Sequence, residues 1–180
     1  MLRAIAATVL ALALLAGPAA ARDLESAERA EIRAALDAYE SAIARGEYDV
    51  MVDNMPEELL AVIGADFGVD AATAREAFRQ ELPRIFADAR LLENDFGMPV
   101  EEGVLGDGTR YQIINTTTIV QLVATGQRFR SSYPTLVLDR DGVWRLVALD
   151  SPETIAQFRR AFPAFGTVDI PQGRFEPLAD

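Results

Sequence analysis

Residues 139–149, DRDGVWRLVAL, predict a tight turn that leads into a β-strand with a single tryptophan. Asp139 suits the first position of a type I turn, and Gly142 suits its last position. The valine, tryptophan and leucine residues after the turn favour a strand. This hairpin decides the fold prediction because it would complete an antiparallel sheet that begins near residue 91.

The hairpin has two possible registers. A three-residue loop with a left-handed Gly142 would pair Leu138 with Trp144. A two-residue loop centred on Asp141 and Gly142 would instead place Arg145 opposite Leu138. We favour the first register because it keeps one face of the hairpin apolar throughout. The residues on that face would be Leu136, Leu138, Trp144, Leu146 and Ala148.

Trp144 itself has two possible roles. Between a sheet and helices, its ring would fill the core. In a curved sheet, the same face can line a ligand cavity. A buried indole N–H requires a hydrogen-bond acceptor, which the sequence does not identify, so both roles stay open.

Three helices are predicted before the sheet. Residues 23–45 form an amphipathic helix, whose apolar stripe has helical spacing. The stripe consists of Ile32, Leu36, Tyr39 and Ile43. A second helical segment is broken or restarted at Pro56 and ends at Gly64. The third helix begins at Asp70, a good N-cap residue.

The second half of the chain predicts strands. From residue 91 it is rich in valine, isoleucine, threonine and tyrosine, with glycine-containing turns, which favours four antiparallel strands in a meander. A last helix begins at the N-cap Ser151 and ends at Pro163. Residues 164–180 are predicted to be an irregular tail. The predicted fold class is α+β: three N-terminal helices packed on a curved antiparallel sheet of about four strands, plus a C-terminal helix.

Residues 1–21 are typical of a signal peptide. Arg3 precedes an apolar run, and Ala19 and Ala21 form a small-residue cleavage site, so we expect cleavage after Ala21. The alternative is an uncleaved membrane anchor, but the run is short for a bilayer span. We therefore expect a periplasmic or secreted protein with no stable membrane span after signal removal. Its folded domain would cover residues 22–163.

Composition excludes several functional classes. The net charge of −11 disfavours nucleic acid and anionic membranes as partners. The chain has no histidine or cysteine, and all 17 basic residues are arginine. These absences exclude the usual zinc ligands, histidine-based catalysis and Schiff-base chemistry. We expect neither a metal nor a cofactor.

Three segments carry a resemblance to a known family. They are YESAIARGEYDVMVDNM (39–55), the DRDGVWRLVAL hairpin and SPETIAQFRRAFP (151–163). Over residues 24–163 the chain resembles the nuclear transport factor 2-like superfamily, whose cone-shaped α+β fold is shared with ketosteroid isomerase and scytalone dehydratase. The third segment is similar to the terminal helix of some exported members.

The resemblance implies a scaffold rather than a reaction. The superfamily includes enzymes, small-ligand binders and interaction modules, and it suggests a possible homodimer through the open sheet face. Its dehydratases use a His–Asp pair, which a chain without histidine cannot supply. Its isomerases use an Asp base with a Tyr and a protonated acid, a trio that does not align with this chain.

Several polar residues are candidates for a ligand pocket. Polar and apolar residues alternate onto one face of the strand around residues 111–121, and such a face could bind a ligand, meet solvent or form a dimer contact. Asp53 lies beside a helix break. If it is buried, its pKa would be raised and it could act as a base; if it is exposed, it is an ordinary residue at a helix end. The candidate pocket residues are Tyr39, Asp53, Tyr111, Asn115, Thr117, Gln121 and Trp144.

Three functions fit these observations. The favoured one is an exported, non-catalytic module that binds a small apolar ligand or a partner protein. The first alternative is a cofactor-free isomerase, dehydratase or hydrolase that uses an Asp or Glu base with a Tyr. The second is a periplasmic lipid carrier, which would need a long, wholly apolar cavity. The interior of the cone distinguishes them.

Overall fold

A computed structural model describes residues 23–178, so the predicted signal peptide and its cleavage site lie outside the described residues. Helices precede an antiparallel sheet, and a further helix follows it, as the sequence predicts. The elements are α1 (Ser26–Ala44), α2 (Asp49–Asp53), α3 (Glu57–Asp66), α4 (Ala71–Asp88), β1 (Ala89–Val104), β2 (Arg110–Leu122), β3 (Arg128–Arg140), β4 (Val143–Ala148), α5 (Pro152–Ala161), a 3₁₀ helix (Pro163–Thr167) and β5 (Arg174–Pro177).

Side-chain N-caps mark the start of α4 and of α5. The Asp70 carboxylate accepts a 2.8 Å hydrogen bond from the Thr73 N–H at the start of α4. The Ser151 hydroxyl accepts a 3.1 Å bond from the Thr154 N–H at the start of α5. Both N-caps satisfy backbone donors that have no partner within the helix, and both predictions are confirmed.

The second predicted helical segment is two helices, α2 and α3. Pro56 is extended, with φ −60° and ψ 147°, and it precedes α3. Gly64 lies inside α3, so the prediction that it ends a helix is wrong. A Cβ at Gly64 would lie 2.8 Å from the carbonyl oxygen of Val69. Glycine is therefore present because the chain entering α4 passes close to this helix.

The sheet follows the predicted meander, in the order β1-β2-β3-β4. The structure differs from the prediction in the C-terminal tail, which is not irregular. It contains the 3₁₀ helix, and β5 pairs with β3 over Phe129–Ser132, beside β4. The rings of Phe129 and Phe175 stack at 4.9 Å. The tail thus covers a part of the β3 edge that the shorter β4 leaves open.

The hairpin between β3 and β4 has the register that we did not favour. Asp139 pairs with Trp144, and Leu138 pairs with Arg145. Asp141 and Gly142 have φ values of 56° and 77°, as a two-residue turn with matching strand twist requires. The favoured register assumed one apolar face, but residues 136, 137 and 138 are each 0% exposed. Both faces of β3 are buried, so apolarity on one face does not select a register.

The two faces of the sheet pack against different helices. We call them the α1 face and the α5 face. The core residues of the α1 face pack with α1, and they are Ile114, Val137 and Leu146. The core residues of the α5 face pack with α3, α5 and the 3₁₀ helix, and they are Tyr111, Ile113, Leu136, Leu138 and Val147.

Candidate functional site: a cavity on the α1 face

A cavity of about 350 Å³ lies between α1, α2, the end of α4 and the α1 face of the sheet. Most of its wall is apolar. The apolar lining residues are Ile43, Met51, Ile85, Phe86, Ala89, Leu91, Phe96, Val120, Leu146 and Ala148. The polar lining residues are Tyr39, Asn94, Thr118, Ser131, Tyr133, Thr135 and Asp150. An apolar cavity of this size with a few polar groups is typical of a small-molecule site.

The polar groups on the sheet form a row across three strands. Asn94 on β1 pairs with Thr118 on β2, and Thr118 pairs with Ser131 on β3. Their side chains share the α1 face because residues paired across antiparallel strands point to the same side. Nδ2 of Asn94 is buried without a hydrogen-bond partner. The cavity wall therefore contains a donor that the protein itself does not satisfy.

Two tyrosine hydroxyls flank this row. Burial, helped by the negative charge of Asp150, raises the pKa of Tyr133 to about 12, although a hydrogen bond with Thr118 acts in the opposite direction. Burial also raises the pKa of Tyr39, and Tyr133 adds to the effect. Both hydroxyls are neutral near pH 7 and can donate hydrogen bonds.

Asp150 is the one carboxylate among the described residues that line the cavity. It follows β4, and its Oδ1 accepts a 3.0 Å hydrogen bond from the Thr154 hydroxyl. No arginine is among the described lining residues, although the chain has 17 basic residues. The cavity therefore presents neutral donors and one negative charge.

Of the predicted pocket residues, the structure places Tyr39 in this cavity. Its ring lies 5.9 Å from that of Phe96, across the space between α1 and β1. Helical spacing identified Tyr39 because it put the residue on the apolar stripe of α1. The other predicted residues lie elsewhere.

Trp144 is on the α1 face but outside the cavity wall. Its Nε1 donates a 3.1 Å hydrogen bond to a carboxylate oxygen of Glu31 in α1. The guanidinium of Arg110 lies 5.2 Å from the ring centre. The half-buried ring also packs against the core residues on this face. Trp144 therefore fixes the hairpin to α1, which answers the question of its role in favour of packing.

Tyr111 and Asn115 lie on the α5 face. The Tyr111 hydroxyl donates a 2.9 Å hydrogen bond to Glu101, and its ring meets Phe165 edge-on at 5.1 Å. Asn115 is exposed and lines a shallow polar depression with Arg130. One residue is core, and the other faces solvent.

Thr117 and Gln121 are also on the α5 face. The Thr117 hydroxyl is 3.4 Å from that of Ser132 on the next strand. The Gln121 side chain donates a 3.0 Å bond to the Gly126 carbonyl, which stabilises the turn between β2 and β3. Neither residue contributes to the cavity.

Asp53 is ion-paired outside the cavity. Its carboxylate accepts a 2.6 Å hydrogen bond from Arg79, and its carbonyl accepts a 2.7 Å bond from Arg145. Its side chain is 54% exposed. This is the ordinary helix end that the sequence analysis left open, rather than a buried base.

Sequence reasoning missed the other polar residues of the cavity: Asn94, Thr118, Ser131, Tyr133, Thr135 and Asp150. Thr118 is on the face of β2 that could not be distinguished from the other by its composition. Around Asn94, β-bulges shift the register of β1 between residues 91 and 93 and between 96 and 99. Simple alternation therefore does not reveal which β1 side chains point inward.

No family model, curated protein or solved structure matches this chain. Within residues 23–178, no cluster of acidic side chains is arranged to hold a metal ion. In the same range, no helix has the length and apolarity needed to cross a membrane. The candidate site is consequently defined by its own geometry.

Proposed function

We propose that this protein is a binding module for a small, largely apolar molecule that occupies the cavity on the α1 face. The observation that carries the proposal is the wall itself, which is mainly apolar and aromatic with a short polar row on one side. Burial of apolar ligand surface there would supply most of the affinity. The polar row would orient the ligand.

Family membership and export belong to the same proposal. The resemblance of three segments to the nuclear transport factor 2-like superfamily supports the first, together with the order of helices and sheet. The signal-like composition of residues 1–21 supports export to the periplasm or beyond. Binding of a partner protein and a homodimer through the sheet remain predictions.

A cofactor-free enzyme is the second candidate, and Asp150 favours it. This carboxylate and the Tyr133 hydroxyl line the same cavity, and the charge of Asp150 contributes to the raised pKa of Tyr133. A carboxylate base beside a neutral tyrosine donor is an arrangement that can move a proton on a bound carbonyl compound. The lipid-carrier alternative has less support because the polar row interrupts the apolar wall.

Native mass spectrometry of the purified protein, compared with a denatured sample, tests the binding proposal. We expect a small molecule that is released on denaturation. Val120→Phe should fill the cavity from β2 and reduce ligand occupancy at least tenfold. Ile119→Phe is the matched control because it adds a ring on the opposite face of the same strand, and it should leave occupancy unchanged.

Three results separate the candidates. Equal ligand occupancy in Val120→Phe and Ile119→Phe, with both variants folded, would contradict the cavity proposal. A chemically altered ligand after incubation, which Asp150→Asn binds but does not alter, would favour the enzyme. A released acyl lipid would favour the carrier.

A further inference from the structure

We propose that the ligand of this cavity is uncharged and has an oxygen that accepts a hydrogen bond from Asn94, and that the cavity rejects carboxylates. This inference rests on the proposed binding function and names the chemical class of the ligand. It is carried by two observations: the unsatisfied donor in the wall, and the sign of the charge around it.

The donor is Nδ2 of Asn94. It is buried and has no hydrogen-bond partner. The hydroxyl of Thr118, which lies opposite Asn94 on β2, hydrogen-bonds to Tyr133 instead. A buried amide N–H without an acceptor destabilises the protein. A carbonyl or ether oxygen of a ligand would satisfy it. A pure hydrocarbon would leave it unsatisfied, so an oxygen-containing ligand is preferred to a hydrocarbon of the same shape.

The charge of the wall excludes an anion. Among residues 23–178, the one charged residue that lines the cavity is Asp150. A ligand carboxylate would be desolvated without a guanidinium to pair with, and it would be repelled by Asp150. The overall charge of −11 adds repulsion at long range. The charge of the wall therefore disfavours a free fatty acid as the ligand.

Three probes of closely similar size test the inference by isothermal titration calorimetry at pH 7.5: methyl naphthyl ketone, isopropylnaphthalene and naphthoate. The ketone has an acceptor oxygen, the hydrocarbon has none, and naphthoate is an anion. We expect the ketone to bind about 3- to 10-fold more tightly than the hydrocarbon, in line with one neutral hydrogen bond. Naphthoate should bind at least tenfold more weakly than the ketone.

Two variants assign these differences to residues. Asn94→Leu has a similar size and no donor, so the advantage of the ketone over the hydrocarbon should disappear. Asp150→Asn removes the negative charge, so binding of naphthoate should improve severalfold while binding of the hydrocarbon stays the same. Thermal melting of both variants checks that the fold is retained.

The outcomes distinguish failure of the inference from failure of the proposed function. If the hydrocarbon binds but the ketone has no advantage, or naphthoate binds as tightly as the ketone, the cavity binds ligands and our inference is wrong. A ketone advantage that persists in folded Asn94→Leu would also overturn it. If none of the probes binds, the proposed function fails and the inference fails with it.

Discussion

The α1 face and the α5 face are built from alternate residues of the same strands, yet one encloses a cavity and the other is filled. On the α5 face, Phe158, Phe162 and Phe165 lie within 6.4 Å of one another, ring centre to ring centre. On the α1 face near β1, residues such as Thr118 and Ser131 meet helices that do not fill the space between them. Both faces share the same strand pairing, so the difference between them lies in how completely the side chains fill the space beneath the helices.

The largest expected effect is a loss of stability from a substitution in the filled α5 face. Phe158 is 0% exposed, so Phe158→Ala should lower the free energy of unfolding by about 3–5 kcal/mol because it leaves a void in a close-packed cluster. Phe96→Ala, at the half-buried cavity wall, should lower it by about 1–2 kcal/mol. Urea unfolding measures both. Equal losses would mean that the two faces are equally well packed, against our comparison.

A second prediction concerns the polar character of the α1 face. Thr116 and Thr135 are buried, and their hydroxyls are 2.6 Å apart. Thr116→Val should lower the free energy of unfolding by about 1–3 kcal/mol because it leaves the hydroxyl of Thr135 without its partner. Changing both residues to valine should restore most of the loss. Additive losses in the double variant would show that the hydroxyls act independently.

The smallest effect expected at neutral pH concerns Tyr133 on the α1 face. The native pKa of Tyr133 is raised to about 12 from an ordinary value of 10.0. The stabilisation from its neutral form is therefore complete below pH 10 and is lost as the pH rises towards 12. Tyr133→Phe should make this alkaline loss of stability shallower, as followed by urea unfolding across that range. At pH 7 its effect should stay within about 1 kcal/mol.

Tyr111→Phe is the matched control on the α5 face. Burial and a hydrogen bond to Glu101 raise the pKa of Tyr111 to about 12 as well, so its alkaline stability should change in the same direction. Because Tyr133 lines the cavity and Tyr111 does not, any loss of affinity for methyl naphthyl ketone should be confined to Tyr133→Phe. A similar loss of binding in Tyr111→Phe would mean that the ligand does not distinguish the faces.

Much of the fold was predictable because it depends on local signals. Each signal involves residues that are close together in the sequence: the N-caps Asp70 and Ser151, the helical spacing on α1 and the glycine turns of the sheet. The candidate site was less predictable. Tyr39 was found because its helix has one apolar face, whereas Thr118 and Asn94 lie on strands whose two faces have similar composition or whose alternation is broken by bulges.

The sequence by itself determined the fold class, the order of the elements, the negative charge and the absence of histidine, lysine and cysteine, since these follow from composition and short-range pattern. Only the tertiary structure decided the register of the β3–β4 hairpin and which face of β2 encloses the cavity. Both depend on what packs against each side of the sheet. With Leu136, Val137 and Leu138 buried on both faces, only the helices that cover those faces make them different.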